Sequence, residues 1–525
     1  MVAREPSDDT QDRASPGAQV ATAGAWGMGG RAVLLIGNCV AAPFTIRLLG
    51  PSAYGLWALL LTILGWGYYA DAGMGTASTK IGADYVAHGD DQAEVAVVWT
   101  ALGLTSVIAT AVVLVLALGA PFLLAHLVHV HTSLLGSAVE ALRVTCAVLL
   151  VQAISGVLNT PPLIRLQLRR YTIVTTTANL VAVAGVPIAL AIFSGGVLTA
   201  STVLLASALV TVLGVIRLAI AFQPAVRHPR FNKQVMRQLL SYGGATTIAG
   251  LASIPLTSAE RFFLASNHST STVAYFAVAV TLATTIQVIP EQLLVPLVPG
   301  MATLEASGRL VELRSVYRQA LAGLFLVLTP VAILLALVAH PFLSLWAGPL
   351  YGLHSTGPFL VAIIGVWFNA LAWVPMSYLQ SSGRPKLFAY LEMAELPFYL
   401  AGAWFFTERF GAMGAAIVWS ARFGLDATLV SFIVWKIGGL PAIPVSERRF
   451  RSLFAPAILG GASALAATVS HGLLPRISFA AALGAAYTVV AWQFVLSRGE
   501  RDAVIRMLVA MLRPGRRPRH ARRAV

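Results

Sequence analysis

RLLGPSAYGLW, residues 47–57, is the tightest polar punctuation between two long apolar runs near the start of the chain. Glycine tolerates backbone angles closed to other residues and proline fixes one, so Gly50-Pro51-Ser52 predicts a compact turn. The run before it, from Trp26 to Leu49, and the run that opens at Tyr54 are each long enough to cross a bilayer. The stretch therefore reads as a helix-turn-helix at a membrane face, and the rest of the chain repeats that unit.

Composition agrees with this reading. Of the 525 residues, 57% are hydrophobic and only 11% are charged, whereas a soluble globule carries about 25% charged residues. The mean hydropathy is +0.78. These values define an all-α polytopic membrane protein, and the apolar runs predict roughly fourteen transmembrane helices at about twenty residues per crossing. Cys39 and Cys146 both fall inside apolar runs, which leaves neither a disulfide framework nor a cluster of zinc ligands.

Arginines set the orientation, because basic residues in short loops stay on the cytoplasmic side. Alternate loops hold Arg165, Arg169 and Arg170; Arg227, Arg230, Lys233 and Arg237; Arg309, Arg314 and Arg318; Arg384 and Lys386; and Arg448, Arg449 and Arg451. The intervening loops hold almost none, Arg47, Arg409 and Arg476 being the main exceptions. The net charge of +15 is thus accounted for by topology. It calls for no nucleic-acid partner, and both termini are expected in the cytoplasm.

The expected organisation has six parts. Residues 1–18 form a disordered polar tail without the pattern of a signal peptide. Residues 19–222 form a first lobe of six helices, and 223–238 a cytoplasmic linker. Residues 239–436 form a second lobe of six helices, and 437–497 carry two further helices. Residues 498–525 form a basic tail. In that tail Val504, Ile505, Leu508, Val509 and Leu512 recur at helical spacing, which fits an amphipathic helix on the inner leaflet. The RPGRRPRHARR that follows would attract anionic headgroups, although a merely solvated basic end is an equal account of it.

The two lobes share short matches. Arg47 precedes Ala53-Tyr54 and Arg261 precedes Ala274-Tyr275; Gly73-Met74-Gly75-Thr76 is similar to Gly300-Met301-Ala302-Thr303; Arg169 has a positional counterpart in Arg384. Six helices is an even number, so both copies would enter the membrane in the same sense. They would be related by a pseudo-twofold axis along the membrane normal, with a substrate cleft between them.

The turn from Arg47 to Gly55 resembles the start of the Wzx-type polysaccharide flippases of the multidrug/oligosaccharidyl-lipid/polysaccharide exporter superfamily. So do the second span ending Asp71-Ala72-Gly73-Met74-Gly75, the stretches SYGGATTIAG, ERFFLA and VAYFAVA, and the SSGRPK loop at 381–386. The likeness runs over nearly the whole chain. One departure is Glu260-Arg261, where relatives often carry Asp-Arg. What the resemblance implies is a flippase in the bacterial cytoplasmic membrane for a polyprenyl-diphosphate-linked oligosaccharide. It would meet membrane lipids, with a polysaccharide polymerase and glycosyltransferases as candidate partners, and need no cofactor.

Charges inside spans cost about 2.5–3.5 kcal/mol each at a helix centre, so each is a functional candidate. Arg422 and Asp426 lie deepest, four residues apart on one helical face. They read either as a self-neutralised pair or as a guanidinium that binds diphosphate with its carboxylate partner. Arg31, with Asn38 seven residues on, could meet the diphosphate at the cytoplasmic side or snorkel to headgroups. Glu392 and Glu395 share a face and could hold a proton between them, or pair with an arginine of a neighbouring helix. Glu260 and Arg261 read as a pair near the end of the seventh span. Glu291, beside Pro290, sits where a helix can bend, which suits a gate. Arg31, Asn38, Arg261 and Arg422 are thus the substrate-binding candidates. Asp426, Glu392, Glu395, Glu291 and Glu260 are the candidates for ion coupling or gating.

No catalytic residue and no metal site is expected. His126, His129 and His131 are irregularly spaced without a carboxylate partner, and the chain lacks a Walker-type phosphate loop. The competing functions are a cation-coupled multidrug exporter of the same superfamily and a membrane glycosyltransferase or polysaccharide polymerase. The last needs a long outer loop with catalytic side chains; the longest expected here, Ala339 to Thr356, has no carboxylate.

Overall fold

A computed structural model describes residues 16–66, 73–130, 132–288, 290–291, 297–440, 458–463, 465–466, 472–490 and 492–493. Residues 1–15 of the expected N-terminal tail, the basic C-terminal tail with its amphipathic helix after Arg498, Asp71, His131, the Arg448–Arg451 loop and parts of the expected span from Leu453 to Leu474 lie outside these residues, whereas residues 16–18 open the first helix.

The described residues are helical, with no strand among them. The chain runs through α1 (Pro16–Gly65), α2 (Met74–Ala87), α3 (Asp91–Phe122), α4 (Thr132–Leu158), α5 (Leu168–Ile192), α6 (Gly196–Phe222) and α7 (Lys233–Asn267). It continues through α8 (Thr270–Thr284), α9 (Leu297–Ala306), α10 (Leu310–Trp346), α11 (Pro349–Ser381), α12 (Lys386–Gly438) and α13 (Leu473–Val490). Among the described residues, ten helices are long and apolar enough to cross a membrane. Two of these, α1 and α12, have 50 and 53 residues. At 1.5 Å per residue each would run to roughly 75–80 Å, more than twice a hydrocarbon core of about 30 Å, so each must fold.

Each of the two folds at a glycine. In α1 the break is Gly50, at φ 71° and ψ 170°, followed at once by Pro51, whose fixed φ suits the first turn of the next helix. In α12 it is Gly411, at φ 53° and ψ −132°. Beyond it the chain doubles back, so that a Cβ on Gly402 would lie 3.1 Å from Val418. The turn expected at 50–52 is thus a single residue between two helices. The expected long loop from Ala339 to Thr356 is also helix, interrupted only at Ala347 and Gly348. Apolar composition alone did not separate loop from helix there.

Contacts divide the chain into two compact units. The first holds residues 1–285, 343–362 and 386–422; the second holds residues 286–342, 363–385 and 423–525. In the first, small residues let helices approach closely, as is usual between membrane helices. Ala138, Ala141 and Ala200 are fully buried, and the Thr145 and Ser201 hydroxyls lie 3.5 Å apart between α4 and α6. Asp90 caps α3 by accepting from the Ala93 amide, Asn232 caps α7 from the Gln234 amide, and Ser269 caps α8 from the Thr272 amide. Outward faces are apolar: Val107, Val115, Leu118 and Phe122 of α3 are each more than 60% exposed. A continuous apolar stripe of this kind is tenable only against lipid. In the second unit the indole of Trp367 on α11 donates to Thr329 of α10, and Tyr487 of α13 donates to the Leu326 carbonyl of α10.

One end of the first unit is basic. Arg165 and Arg170 lie there, just before and within the start of α5, as do Arg230 and Lys233 at the start of α7; Arg170 lies over Phe222 at the end of α6, and Arg230 donates to Gln92 at the start of α3. Arg169 lies over Trp26 of α1. Gly50 is 24 residues further along α1, about 36 Å at helical rise, so the Gly50 elbow is at the opposite end from this basic face.

Candidate functional site

Three helical segments of the first unit converge on a buried charged cluster: α7 and the two halves of the folded α12. Leu256, Tyr399, Ala403 and Val418 form its apolar floor, with Phe263 and Phe406 packed against them. In that setting Glu260 is 1% exposed and accepts a hydrogen bond from the Tyr399 hydroxyl at 2.6 Å. Arg422 is also buried. Its Nη1 donates to the Leu256 carbonyl at 2.6 Å, its Nη2 lies 3.6 Å from Glu392 and its Nε 3.9 Å from Glu395. The guanidinium carbon sits 5.5 Å from the centre of the Tyr399 ring, within cation–π range.

Buried charges are tolerated when paired and hydrogen-bonded. The cluster meets the pairing condition with one guanidinium within 4 Å of two carboxylates, and hydrogen bonds join the Tyr399 phenol to Glu260 and Arg422 to a backbone carbonyl. Arg422 is therefore committed to partners inside its own bundle. Glu392 and Glu395 are thus short-range ion-pair partners of Arg422. Asp426, itself buried, lies one turn further along the same helix.

Arg261 has different surroundings. Adjacent helical residues point about 100° apart, so while Glu260 turns into the cluster, Arg261 turns to α1 and donates to Thr62 Oγ1 at 2.6 Å. Glu260 and Arg261 make their short contacts with different helices rather than with each other. Nearby, the Trp66 indole donates to Ser258 and its ring packs on Phe262 at 5.3 Å. Among the described residues Arg261 makes no ion pair within 4 Å, and its Nε is a buried donor with no hydrogen-bond partner.

The other candidates are on other segments of the chain. Arg31 and Asn38 are exposed on α1, Asn38 donating to the Leu34 carbonyl of its own helix. Glu291 is half-buried beside the buried Pro290, in the second unit. Tyr399, Thr62 and Leu256 did not stand out in the sequence, because nothing in an apolar run marks which tyrosine, threonine or carbonyl an arginine will meet. A second buried cluster was missed as well. Glu94, fully buried, receives both terminal nitrogens of Arg165 at 2.6 and 2.8 Å and the amide of Gln223 at 2.7 Å. This joins the start of α3, the segment before α5 and the end of α6. The signal for it was a carboxylate at the head of an apolar run opposite a loop arginine.

By fold this is a many-helix membrane protein with charge pairs buried inside its bundles. Residues 45–351 match the family described as "Polysaccharide biosynthesis protein", and the chain belongs to that family. A Shigella flexneri protein whose name refers to O-antigen transport is 29% identical over 207 residues, 39% of this chain and 49% of that protein. The chain thus spans about half the length of that curated relative. Among solved structures, the lipid II flippase MurJ in an inward closed conformation aligns with a TM-score of 0.66 at 11% identity, over 88% of this chain and 98% of that one. An inward-facing multidrug resistance MATE family transporter of the MOP superfamily aligns at 0.63 and 16% identity, over 77% and 94%. At such identities the likeness is one of fold, and that fold is the one the motifs led us to expect.

Proposed function

We propose that this protein is a flippase that carries a polyprenyl-diphosphate-linked oligosaccharide across the bacterial cytoplasmic membrane by alternating access, for surface polysaccharide biosynthesis. The basic face, with both termini, lies in the cytoplasm. Membership of a polysaccharide biosynthesis family supports the cargo class. The observation that carries the reading is Arg261, a guanidinium at membrane depth held by one hydroxyl, with an unused buried donor. Such a group is suited to a diphosphate, whose oxygens match the planar fork of an arginine. Arg31 and Asn38, nearer the basic end of α1, would meet the headgroup first.

Glu392, Glu395 and Glu260 serve coupling in this scheme, because carboxylates grouped in low dielectric disfavour joint ionisation and can hold a proton between them; Asp426 is the fourth coupling candidate. Glu291 beside Pro290 serves gating. The same acidic group favours the second reading, a cation-coupled exporter.

Deleting the gene should stop export of one surface polysaccharide while lipid-linked repeat units accumulate facing the cytoplasm. Restoration by the wild-type gene and not by Arg261→Ala, at equal protein levels, is the expected result. Undiminished export in the deletion strain overturns the flippase reading.

A further inference from the structure

Two helices of the first unit, α2 and the start of α7, present polar side chains outward at a level where the α3 beside them is apolar. On α2, Thr76, Lys80 and Asp84 recur at every fourth position, and all three are exposed, while Ala77, Ser78 and Gly82 on the other face are buried. On α7, Gln238, Ser241 and Tyr242 are exposed, while Val235, Leu239 and Gly243 are buried. The two polar faces meet. Lys80 Nζ lies 4.4 Å from the centre of the Tyr242 ring, and the Tyr85 hydroxyl donates to the side-chain oxygen of Gln238 at 3.5 Å. Together they make one strip across two helices.

The strip lies above the basic face. Lys80 precedes the end of α2 at His88 by two turns, and Tyr242 follows the start of α7 at Lys233 by a little more, so each is about 12–14 Å along its helix. The neighbouring α3 has already turned apolar at Val95, one turn from its own start. Among the described residues neither Lys80 nor Asp84 makes an ion pair within 4 Å. An unpaired ammonium and an unpaired carboxylate at this depth are tenable only against water, so the strip lines an aqueous space.

Its chemistry is that of a sugar site. A pyranose offers hydroxyls that both donate and accept, and a face made of C–H groups. Asp84 supplies an acceptor, Gln238 an amide and Thr76 and Ser241 hydroxyls, while Tyr242, 37% exposed, supplies an aromatic surface. Lys80 holds that ring in place through its cation–π contact. A diphosphate would call for concentrated positive charge and a planar fork. Here one ammonium is offset by one carboxylate on the same helix face, and Arg237 lies a turn nearer the basic face.

We propose that the α2–α7 strip is a saccharide-binding site that takes a pyranose unit of the cargo, Tyr242 against its C–H face and Asp84 and Gln238 on its hydroxyls. This deepens the flippase reading and rests on it. Recognition of the sugar is thereby separated from recognition of the diphosphate, assigned above to Arg261.

Two measurements on the full chain test it. In the first, purified protein is titrated with the free oligosaccharide repeat unit, released from its lipid by mild acid. Tyr242→Ala should weaken binding at least tenfold, and Tyr242→Phe, which keeps the ring, should stay within threefold of the parent. Should Tyr242→Ala deplete the protein, Asp84→Asn, on an exposed face, takes its place with a loss of at least threefold. Equal affinity in parent and variant, or no binding by the parent, overturns the site. Where deletion of the gene stops export, such a result removes the site and leaves the flippase reading standing; undiminished export in the deletion strain removes the reading itself. The second measurement needs no cargo. With Cys39 and Cys146 replaced by Ala, Ser241→Cys and the outward-facing Val115→Cys are exposed to a membrane-impermeant maleimide in opened membrane vesicles. Ser241→Cys should label at least tenfold faster; equal rates overturn the aqueous strip.

Discussion

Arg422 donates a hydrogen bond to the backbone carbonyl of Leu256 at 2.6 Å, binding the returning half of α12 to the middle of α7. The carbonyl it uses lies in an α7 that carries Pro255 inside it. Proline leaves free the carbonyl four residues before it, that of Leu251, so the Leu256 carbonyl is not the one released by Pro255; Arg422 takes the second lone pair of a carbonyl within the helix. The arginine thus serves backbone and carboxylates together, which is a structural task before it is a transport task.

Replacing Arg422 with Ala should therefore reduce the amount of folded protein in the membrane. It would leave the buried Glu395 and the half-buried Glu392 without their counter-charge, and removing one partner of a buried pair costs about 3–5 kcal/mol. The check is thermal stability of the purified variant in detergent beside its level in membranes. The triple change Arg422→Met/Glu392→Gln/Glu395→Gln, which removes charge on both sides, should restore most of the stability. If Arg422→Ala is as stable as the parent, the pairing role is wrong.

Arg261 should behave in the opposite way. Its hydroxyl partner, Thr62, contributes only a neutral acceptor, and a hydrogen bond to a charged group is worth about 1.5–3 kcal/mol. Arg261→Ala is expected to leave the protein in the membrane and to lower export at least tenfold. Arg261→Lys, which keeps the charge but loses the fork, is expected to fall between. Accumulated lipid-linked repeat units are the quantity to follow. Thr62→Val separates the contact from the charge, because it frees the guanidinium and should weaken export far less than Arg261→Ala.

These two arginines also mark the limit of what the sequence could reveal. That both sit at membrane depth is legible, because each interrupts an apolar run long enough to span. Which way each points is not: one residue turns a helix face by 100°, and a boundary uncertain by two residues scrambles the assignment. Pairing Arg422 with Asp426 used the only geometry a sequence supplies, spacing along one helix. The short contacts to Glu392 and Glu395 come from the other half of α12, brought back by the fold at Gly411. The Gly50 turn was readable because glycine and proline act locally. The close approach of Gly55 to the Thr270 carbonyl was not, since it joins residues 215 positions apart.

The Glu94 clasp predicts a further separation of stability from transport. With both oxygens engaged and the side chain fully buried, Glu94→Ala should cost about 3 kcal/mol through an arginine and an amide left without their acceptor. Arg165→Lys should cost somewhat less, because an ammonium cannot make the bidentate contact. The hydrogen bond that Arg165 donates to Glu94 raises the arginine's pKa above its usual value. A cation raised in this way contributes stability that is fully present below its unfolded pKa and lost only as pH rises through the folded value. The arginine end of the clasp should therefore be indifferent to pH across the neutral range. Melting of the two variants against pH checks both statements.

Gly411 provides the sharpest local test of the fold. At φ 53° and ψ −132° it occupies a region closed to residues with a Cβ, and such strain costs of order 1–3 kcal/mol where it is forced. The turn is also the point at which α7 is docked: His268 Nε2 lies 2.7 Å from the Thr407 carbonyl oxygen, and Asn267 donates to the Thr407 hydroxyl. A Cβ on Gly411 would point at the His268 ring, 3.7 Å from Nε2, so the substitution meets no clash and its cost is conformational. Gly411→Ala should then lower the melting temperature without altering the charged cluster. Gly136→Ala, on an exposed turn of α4 with nothing within 4 Å of the added carbon, should raise it, because alanine is favoured over glycine in a helix by about 1 kcal/mol. Equal effects of the same sign at the two sites would mean that α12 does not turn at Gly411. The return of Arg422 onto Glu392 and Glu395 would then have no structural basis.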